Sequence, residues 1–324
     1  MKVIANTGPG KLEWQEWPLP QVAAGQVRIR TGACGICATD LAMIAGWKRT
    51  GFPSIPGHEW AGTVDAVGAE VDPALVGSRC VAENVLADGG EVGFEHAGGY
   101  AQYFISEASN VQRLPADFPL ARAALIEPLA VTVRGLRRLG LDSHTDVLVL
   151  GDGPIGLLCV MLLRHLGVPA VILAGGRPGR LEVGRSLGAV ETIDFHQTGD
   201  DLAQAILQRH RGPFVQVIEA SGSSNALAAA LRVAAREGKV LLLGDYGASR
   251  AAFAWSDVLH QELVLIGSNA SAGAWPEAVN MAVQGGLPLD RLVTHRLPAE
   301  QFLQGYELTR DGRDGVVKVV LEWP

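Results

Sequence analysis

A thiol, an imidazole and a carboxylate occur at three separate places along the chain, each beside residues typical of loops or helix starts. Cys37 lies two residues after a glycine, His58 follows Pro56-Gly57, and Glu127 precedes a proline. These are the ligand types of a catalytic zinc that keeps its fourth position open. Taken singly, each residue also fits an ordinary role, as a small core residue, a turn residue and an acid in the first turn of a helix. The residues alone therefore leave a metal site and three structural positions as open alternatives.

The cysteines do not indicate a closed structural zinc site. Cys34 and Cys37 have the spacing of one half of such a site, but Cys80 and Cys159 stand alone in apolar strand and helix contexts. Four cysteines in 324 residues also do not resemble a disulfide framework.

A glycine-rich turn between a buried strand and a helix is the second feature that could do chemistry. The turn consists of six residues, Gly151, Asp152, Gly153, Pro154, Ile155 and Gly156. Gly151 allows a tight turn, Gly153 lets the backbone approach a pyrophosphate, and Gly156 lets the helix pack on the strand. The helix N-terminus presents free amide groups and a partial positive charge to phosphates. We therefore expect a dinucleotide to bind at this turn.

The secondary-structure elements that position these residues follow two different sequence patterns. Residues 1 to about 110 contain short β segments separated by loops rich in glycine and proline, which suit a small barrel. After the glycine turn, β and α segments alternate, which predicts a doubly wound parallel sheet. We expect a catalytic domain of residues 1–140 and 287–324, with a nucleotide-binding domain of residues 141–286 between them.

Two helices are predicted with less regular boundaries. Residues 120–139 are helical in pattern, with Pro128 near a start or a kink. Residues 224–236 are rich in alanine and predict a helix that Gly238 ends.

Composition excludes several classes of partner. The formal net charge is −7 and no basic block offsets it, which argues against a nucleic-acid partner. Hydrophobic residues make up 48% and charged residues 19%, so a large core can be buried. No apolar run approaches the roughly eighteen residues of a membrane span. The first residues become polar too soon for a signal peptide, so we expect a soluble cytoplasmic protein with a small-molecule substrate.

Five motifs, in this order, resemble the medium-chain dehydrogenase/reductase family, specifically its zinc-dependent alcohol and polyol dehydrogenases. They are residues 35–40, 56–59, 98–103, 127–131 and 151–156. The resemblance runs essentially from end to end. It implies an α/β chain with a GroES-like β-barrel catalytic domain and a Rossmann domain. The implied reaction is hydride transfer between a secondary alcohol or polyol, or its ketone, and NAD or NADP.

The resemblance also implies a ligand set. Cys37 and His58 match zinc ligands, and Glu127 stands where the sorbitol and threonine dehydrogenase branch has glutamate. Glu59 is expected as a further ligand, or as a nearby carboxylate that exchanges with water. Cys34 matches a position that does not bind metal.

Two departures from the family pattern bear on mechanism. Many members carry four closely spaced cysteines for a structural zinc, but residues 81–97 have none, so we expect one zinc per chain. Thr39 fits the hydroxyl that accepts the substrate proton, but the histidine common three residues later is Ala42. The proton relay must therefore end differently, through a cofactor ribose hydroxyl or water.

The cofactor contacts come partly from the residues and partly from the resemblance. NAD sites usually place an acid about twenty residues past the glycine motif, but here the strand ends in Gly176 and Arg177. Because an arginine can pair with a 2′-phosphate, these two residues favour NADP. By resemblance, Lys318 contacts the pyrophosphate, and Ser268 and Asn269 hold the nicotinamide end.

Two alternatives are left open at this point. A zinc-free quinone or enone reductase of the same superfamily would lack the Cys/His/Glu set. A non-catalytic relative would keep the fold and bind nucleotide only. The resemblance further implies a homodimer or homotetramer, and residues 263–266 could pair across a two-fold axis.

Overall fold

Two structural units make up the chain, and the first is built from both ends of the sequence. Unit 1 comprises Met1–Glu127 and Trp275–Pro324, and unit 2 comprises Pro128–Ala274. The computed structural model describes residues 1–199, 201–210, 212–247, 249–250 and 252–324.

Unit 1 is mainly β structure, with a two-stranded ribbon of β1 and β2 and a larger mixed sheet. Its strands are β1 Lys2–Gly8, β2 Lys11–Glu16, β3 Gln26–Gly35, β4 Glu59–Val67, β5 Arg79–Ala82, β6 Tyr103–Glu107, β7 Val111–Arg113, β14 Val293–Pro298 and β15 Lys318–Glu322. Its helices are α1 Ala38–Ile44, α2 Leu120–Ala123, α9 Trp275–Val283 and α10 Phe302–Asp311. The larger sheet has the order β14-β15-β3-β4-β5-β7, with β6 also paired to β3. Apolar side chains of β1, β3, β4 and β15 meet in one buried cluster.

The pairing of β3 with β4 brings two loop positions together. The strands are antiparallel, and Gly35 at the end of β3 lies opposite Glu59 at the start of β4. Cys37 follows β3 by two residues and His58 directly precedes β4, so both lie at the same end of the sheet. β15 pairs with the other side of β3, where Val320 lies opposite Gly35.

Unit 2 is a doubly wound α/β unit. Its strands are β8 Val147–Leu150, β9 Val171–Gly175, β10 Glu191–Asp194, β11 Phe214–Glu219, β12 Ala234–Leu242 and β13 Val264–Gly267. Its helices are α4 Pro154–His165, α5 Pro178–Ser186, α6 Leu202–His210, α7 Ser224–Val233 and α8 Trp255–His260, and it holds all but the first two residues of α3, Ile126–Leu139. All strands are parallel in the order β10-β9-β8-β11-β12-β13. This confirms the predicted doubly wound sheet.

The buried centre of unit 2 follows from its strand sequence. β8 consists of four apolar residues that are each at most 1% exposed, as expected for a central parallel strand covered on both faces. Apolar residues of β9, β11 and α7 pack in the same core cluster.

Of the two helices predicted with less regular boundaries, one ends at a different residue and the other begins near the expected proline. The helix predicted over residues 224–236 is wrong at its end, because α7 stops at Val233 and Ala234 begins β12. Parallel pairing with β11, where Phe214 lies opposite Ala234, overrides the helical preference of the alanine-rich stretch. Pro128 is the third residue of α3, near a start as predicted, where its missing N–H removes no hydrogen bond within the helix.

Among the described residues, no helix has the length and apolar character needed to cross a bilayer.

Candidate metal centre and nucleotide-binding turn

Three potential metal donors converge at the end of the β3–β4 pair. The ligand atoms of Cys37, His58 and Glu59 all lie within 4.8 Å of one another. Cys37 is the residue before α1 and is partly exposed, whereas His58 and Glu59 are 5% and 1% exposed. The imidazole and the carboxylate of the cluster are therefore buried, whereas its thiol is partly accessible to solvent.

The donor set suits zinc in chemistry and in spacing. Zinc accepts thiolate, imidazole and carboxylate ligands at about 2.0–2.3 Å, which places tetrahedral donors about 3.5 Å apart. Donors already within 4.8 Å need only small side-chain movements to share one ion. The residues present therefore fit the metal that the family resemblance implies.

Asp40 orients two members of this set. Its Oδ2 accepts a hydrogen bond of 2.8 Å from the backbone N–H of Cys37, and its Oδ1 lies 3.3 Å from Nδ1 of His58. Burial by itself would lower the pKa of His58, but Asp40 and Cys37 outweigh it and hold that pKa well above its usual range. We assigned Asp40 no role from the sequence. The available signal was an acid three residues after the helix N-cap, the spacing of a capping box, which α1 does form.

Lys318 pairs with one of the three potential metal donors. Its ammonium lies 2.7 Å from the carboxylate of Glu59 and donates a 3.2 Å hydrogen bond to the carbonyl of Ile36. Burial would lower the pKa of Lys318, but Glu59 and Cys37 reverse that effect and raise it. The lysine thus remains charged inside unit 1, where it balances the buried carboxylate. Its predicted pyrophosphate contact stays a prediction.

Glu127 lies close enough to the cluster for the charges of His58, Glu59 and Lys318 to affect its pKa. It is in the first turn of α3 and is not one of the three donors within 4.8 Å. Burial raises the pKa of Glu127 to about 7, with His58 and Lys318 opposing the shift and Glu59 adding to it. A cation bound beside it would favour the carboxylate form.

Thr39 and Cys34 differ in their position relative to the predicted zinc ligands. Thr39 Oγ1 is 3.7 Å from Cys37 Sγ, so its hydroxyl lies beside a predicted ligand. Cys34 is buried in the core, and burial, then the charges of Asp40 and Glu59, raise its pKa well above the usual range. Cys34 is not one of the three donors that lie within 4.8 Å of one another.

The glycine turn of unit 2 has the geometry that its sequence predicted. Gly151 has φ of +120°, a conformation that favours glycine. A Cβ on Gly156 would lie 1.8 Å from the carbonyl oxygen of Gly151, so no larger residue fits there. Gly153 is the N-cap of α4, Pro154 and Ile155 form its first turn, and a Cβ on Gly153 would meet nothing within 4 Å. The turn therefore leaves open space at the helix N-terminus, where phosphates bind in related folds.

Asp152 adds a carboxylate that was not expected at the end of β9. Its Oδ2 accepts hydrogen bonds from the backbone N–H groups of Gly176, at 3.0 Å, and Arg177, at 2.7 Å. Its Oδ1 accepts one from Nη1 of Arg177, at 3.0 Å. The preference for NADP rested on the absence of an acid among residues 173–177, but Asp152 brings a carboxylate to this strand end from the glycine turn. The preference itself stays a prediction. The signal was Asp152 itself, the second residue of the glycine motif.

The same residues border a cavity in unit 2. Its volume is about 740 Å³, enough for a nucleoside portion of a ligand. Its walls include Gly151, Asp152, Gly176, Arg177 and Phe195. The sequence-predicted turn and the predicted Gly176-Arg177 pair thus share one pocket.

Ser268 and Asn269 lie directly after β13, as the sequence indicated. Nη1 of Arg134, on α3, lies 3.4 Å from Ser268 Oγ and donates to the carbonyl of Asn269 at 2.7 Å. These contacts fix the backbone beyond the last strand of the sheet. Their predicted role at the nicotinamide stays a prediction.

Comparisons with known proteins agree with this arrangement. The family profile described as "Alcohol dehydrogenase GroES-like domain" matches residues 23–116, and that described as "Zinc-binding dehydrogenase" matches residues 154–284. An L-threonine 3-dehydrogenase from Anaeromyxobacter sp. (strain Fw109-5) is 33% identical over 348 residues, which cover 100% of this chain and 99% of the relative.

Two solved structures are similar over nearly the whole chain. One is a short chain alcohol dehydrogenase from E. coli CFT073 complexed with NADH, with a TM-score of 0.93 and 25% identity, covering 99% of both chains. The other is a putative zinc-binding dehydrogenase from Sinorhizobium meliloti 1021 bound to NADP, with a TM-score of 0.92 and 25% identity, covering 99% of this chain and 98% of that one. The chain therefore belongs to the zinc-type alcohol and polyol dehydrogenases of the medium-chain dehydrogenase/reductase family and is an NAD(P)-dependent oxidoreductase.

Proposed function

We propose that the chain oxidises a secondary alcohol at a zinc site formed by Cys37, His58, Glu59 and Glu127. The observation that carries this proposal is the convergence of a thiol, an imidazole and a carboxylate within 4.8 Å. When bound, zinc supplies Lewis-acid stabilisation of the developing alkoxide, and the nicotinamide cofactor supplies the hydride acceptor.

The protein's own residues would then control ligand exchange and the proton. Glu59 is held by Lys318 at 2.7 Å, so it can serve as a ligand or remain with the lysine while water or substrate takes its place. We propose that the Thr39 hydroxyl, which lies 3.7 Å from Cys37 Sγ, accepts the proton of the substrate hydroxyl. Because residue 42 is alanine, we propose that Thr39 passes this proton to water or to a ribose hydroxyl of the cofactor.

We further propose one zinc per chain. The segment that carries a structural zinc in many relatives is short here and lacks cysteine. It is held by other means, because Arg49 makes ion pairs with Glu91 at 2.8 Å and with Glu95 at 2.7 Å. The ring of Phe94, between these two acids, lies 5.0 Å from the ring of His58. Ion pairs and aromatic packing thus hold this segment against the loop that carries His58.

The cofactor is assigned to the turn of unit 2. Gly151, Gly153, Ile155 and Gly156 would contact the pyrophosphate through backbone N–H groups, whereas Pro154, which has none, would contact it only through its ring. Gly176 and Arg177 would contact the adenosine ribose. The sequence favours NADP through this arginine, but the arginine already has a carboxylate partner in Asp152. We therefore expect the Asp152–Arg177 pair to decide between NAD and NADP.

The substrate class that we propose is a polyol or a hydroxy amino acid. The L-threonine dehydrogenase relative and the glutamate at position 127 support it. A panel of sugar alcohols, hydroxy amino acids and simple secondary alcohols, each tested with NAD and with NADP, would check the proposal by the rise in nicotinamide absorbance. Turnover of a polyol or hydroxy amino acid supports it. Turnover restricted to quinones or enones, without zinc dependence, would instead support a zinc-free reductase.

We also propose that two copies pair along β13. This edge strand of the unit 2 sheet exposes Val264 and Leu265 at 47% and 37%, and the neighbouring α8 exposes Trp255 and Leu259 at 72% each. An exposed apolar edge strand offers unpaired backbone groups to a second chain. Pairing across a two-fold axis would cover all four side chains and give a dimer or tetramer.

A cytoplasmic location is part of the proposal. The four cysteines are free, and thiols persist in reducing compartments.

A further inference from the structure

We propose that Asp152 selects NAD over NADP by filling, with its own carboxylate, the place that a 2′-phosphate would need. This inference deepens the proposed function and rests on the assignment of a nicotinamide dinucleotide to the turn of unit 2. It concerns one residue of the glycine motif and its contacts with the end of β9.

The end of β9 forms a small anion-binding pocket. Two successive backbone N–H groups, of Gly176 and Arg177, and the guanidinium of Arg177 all point to one place. Such successive N–H groups bind anions readily, and an arginine strengthens the preference. In this chain the anion is already present, because Asp152 accepts all three hydrogen bonds. The three donors that could bind a 2′-phosphate are therefore already bound to Asp152.

Two neighbouring side chains, Asp152 and Phe195, explain the glycines at the strand end. A Cβ on Gly175 would lie 2.6 Å from the Asp152 side chain, and a Cβ on Gly176 would lie 2.3 Å from the ring of Phe195. Neither position can carry an acid of its own while these neighbours stay in place. The carboxylate that NAD sites usually have at this strand end is thus supplied from the glycine turn.

Asp152 has capacity left for a ribose hydroxyl. A carboxylate offers about four acceptor sites, and three contacts use Oδ1 once and Oδ2 twice. The free site on Oδ1 can accept from a 2′-hydroxyl, which is a donor. A 2′-phosphate brings only acceptors and negative charge, so it would be repelled by a carboxylate that is 4% exposed and weakly screened.

Arg177 does not reverse this preference. Its side chain is 58% exposed and could turn toward a phosphate, but it would have to leave Asp152 to do so. That movement would strip the nearly buried carboxylate of its cationic partner. NADP binding therefore has a cost in this chain that NAD binding lacks.

The experiment measures dissociation constants for NADH and NADPH by fluorescence titration without alcohol, so that it does not depend on turnover. The variants are Asp152→Asn and, as the matched control, Asp146→Asn. Asp146 also belongs to unit 2 but does not border the cavity, and its carboxylate lies 3.8 Å from Nε2 of His210. We expect the wild-type protein to bind NADH about tenfold or more tightly than NADPH. Asp152→Asn should reduce this ratio by about tenfold or more, and Asp146→Asn should leave it within about twofold.

The outcomes separate the inference from the proposal beneath it. Thermal unfolding would show whether Asp152→Asn folds. If it does not, Asp152→Ser replaces it and should lower the ratio in the same direction, because it also removes the carboxylate. Tighter wild-type binding of NADPH, or an equal change for both cofactors in Asp152→Asn, would overturn the selecting role of Asp152 alone. Binding of neither dinucleotide would overturn the nucleotide site itself.

Discussion

The ammonium of Lys318 lies 2.7 Å from the carboxylate of Glu59, and both side chains are at most 3% exposed. The pair joins the first residue of β15 to the first residue of β4. It therefore places a fixed positive charge behind the predicted metal donors, which compensates the negative charge gathered there. The stability of this end of unit 1 depends on keeping that pair complete.

Removing the positive charge alone should be costly. Lys318→Met leaves Glu59 charged, buried and unpaired, which is expected to lower the free energy of unfolding by about 3–5 kcal/mol. Urea unfolding of the metal-free protein, in which no zinc compensates Glu59, measures this loss. Arg28→Met is the control, because Arg28 pairs with the partly exposed Asp65 at 2.7 Å and should cost about 1 kcal/mol or less. Equal losses in the two variants would show that the buried pair has no special role.

Asp40 should govern metal affinity without binding the metal. Asp40→Asn loses the charge that faces His58 and one of two acceptor oxygens, so zinc affinity is expected to fall by about 10- to 100-fold. Competition with a chromophoric chelator measures this affinity. Asp65→Asn, a change of the same kind on the surface of unit 1, should leave it unchanged. An unaltered affinity in Asp40→Asn would rule out the orienting role.

Zinc binding should release protons and weaken as the pH falls. The pKa of Glu127 is raised to about 7, chiefly by burial, and that of His58 is raised by Asp40 and Cys37 against its burial. Below those pKa values the zinc-free protein holds protons that zinc must displace, so the affinity rises as the pH rises through about 7. Calorimetry in two buffers of different ionisation enthalpy counts the protons released. Binding without proton release near neutral pH would contradict this account.

The β13 edge should determine the oligomeric state. Val264→Lys places a charge on the exposed edge strand and is expected to shift the protein to monomer. Light scattering after size exclusion reports the mass directly. Val215→Lys is the matched control, because Val215 is similarly exposed, at 46%, but lies on the interior strand β11. A wild-type protein that is already monomeric would refute pairing along β13.

Local patterns predicted the parts of this molecule that depend on neighbouring residues. The strand, turn and helix around Gly151 follow from apolar periodicity and glycine spacing, and the structure reproduces them at those residues. The thiol, imidazole and carboxylate could be proposed as metal donors from residue type and family resemblance.

Contacts between distant segments could not be predicted from local sequence patterns. Lys318 and Glu59 are 259 residues apart, and Asp152 is 24 residues from Gly176, so each pair is brought together only by strand pairing in the folded sheet. The end of α7 was misplaced for the same reason, since pairing of Ala234 with β11 is a tertiary effect. Sequence periodicity reports which face is apolar but not which polar side chains meet.

The most direct test of the zinc site is a titration of metal-free protein with zinc, in which bound metal and alcohol-dependent cofactor reduction are measured together. We expect about one zinc per chain, with turnover rising in proportion to bound zinc. Cys37→Ser should abolish both, whereas Cys34→Ser, at a buried thiol three residues away, should keep both. Undiminished turnover in the metal-free protein, or normal zinc binding by Cys37→Ser, would contradict the account.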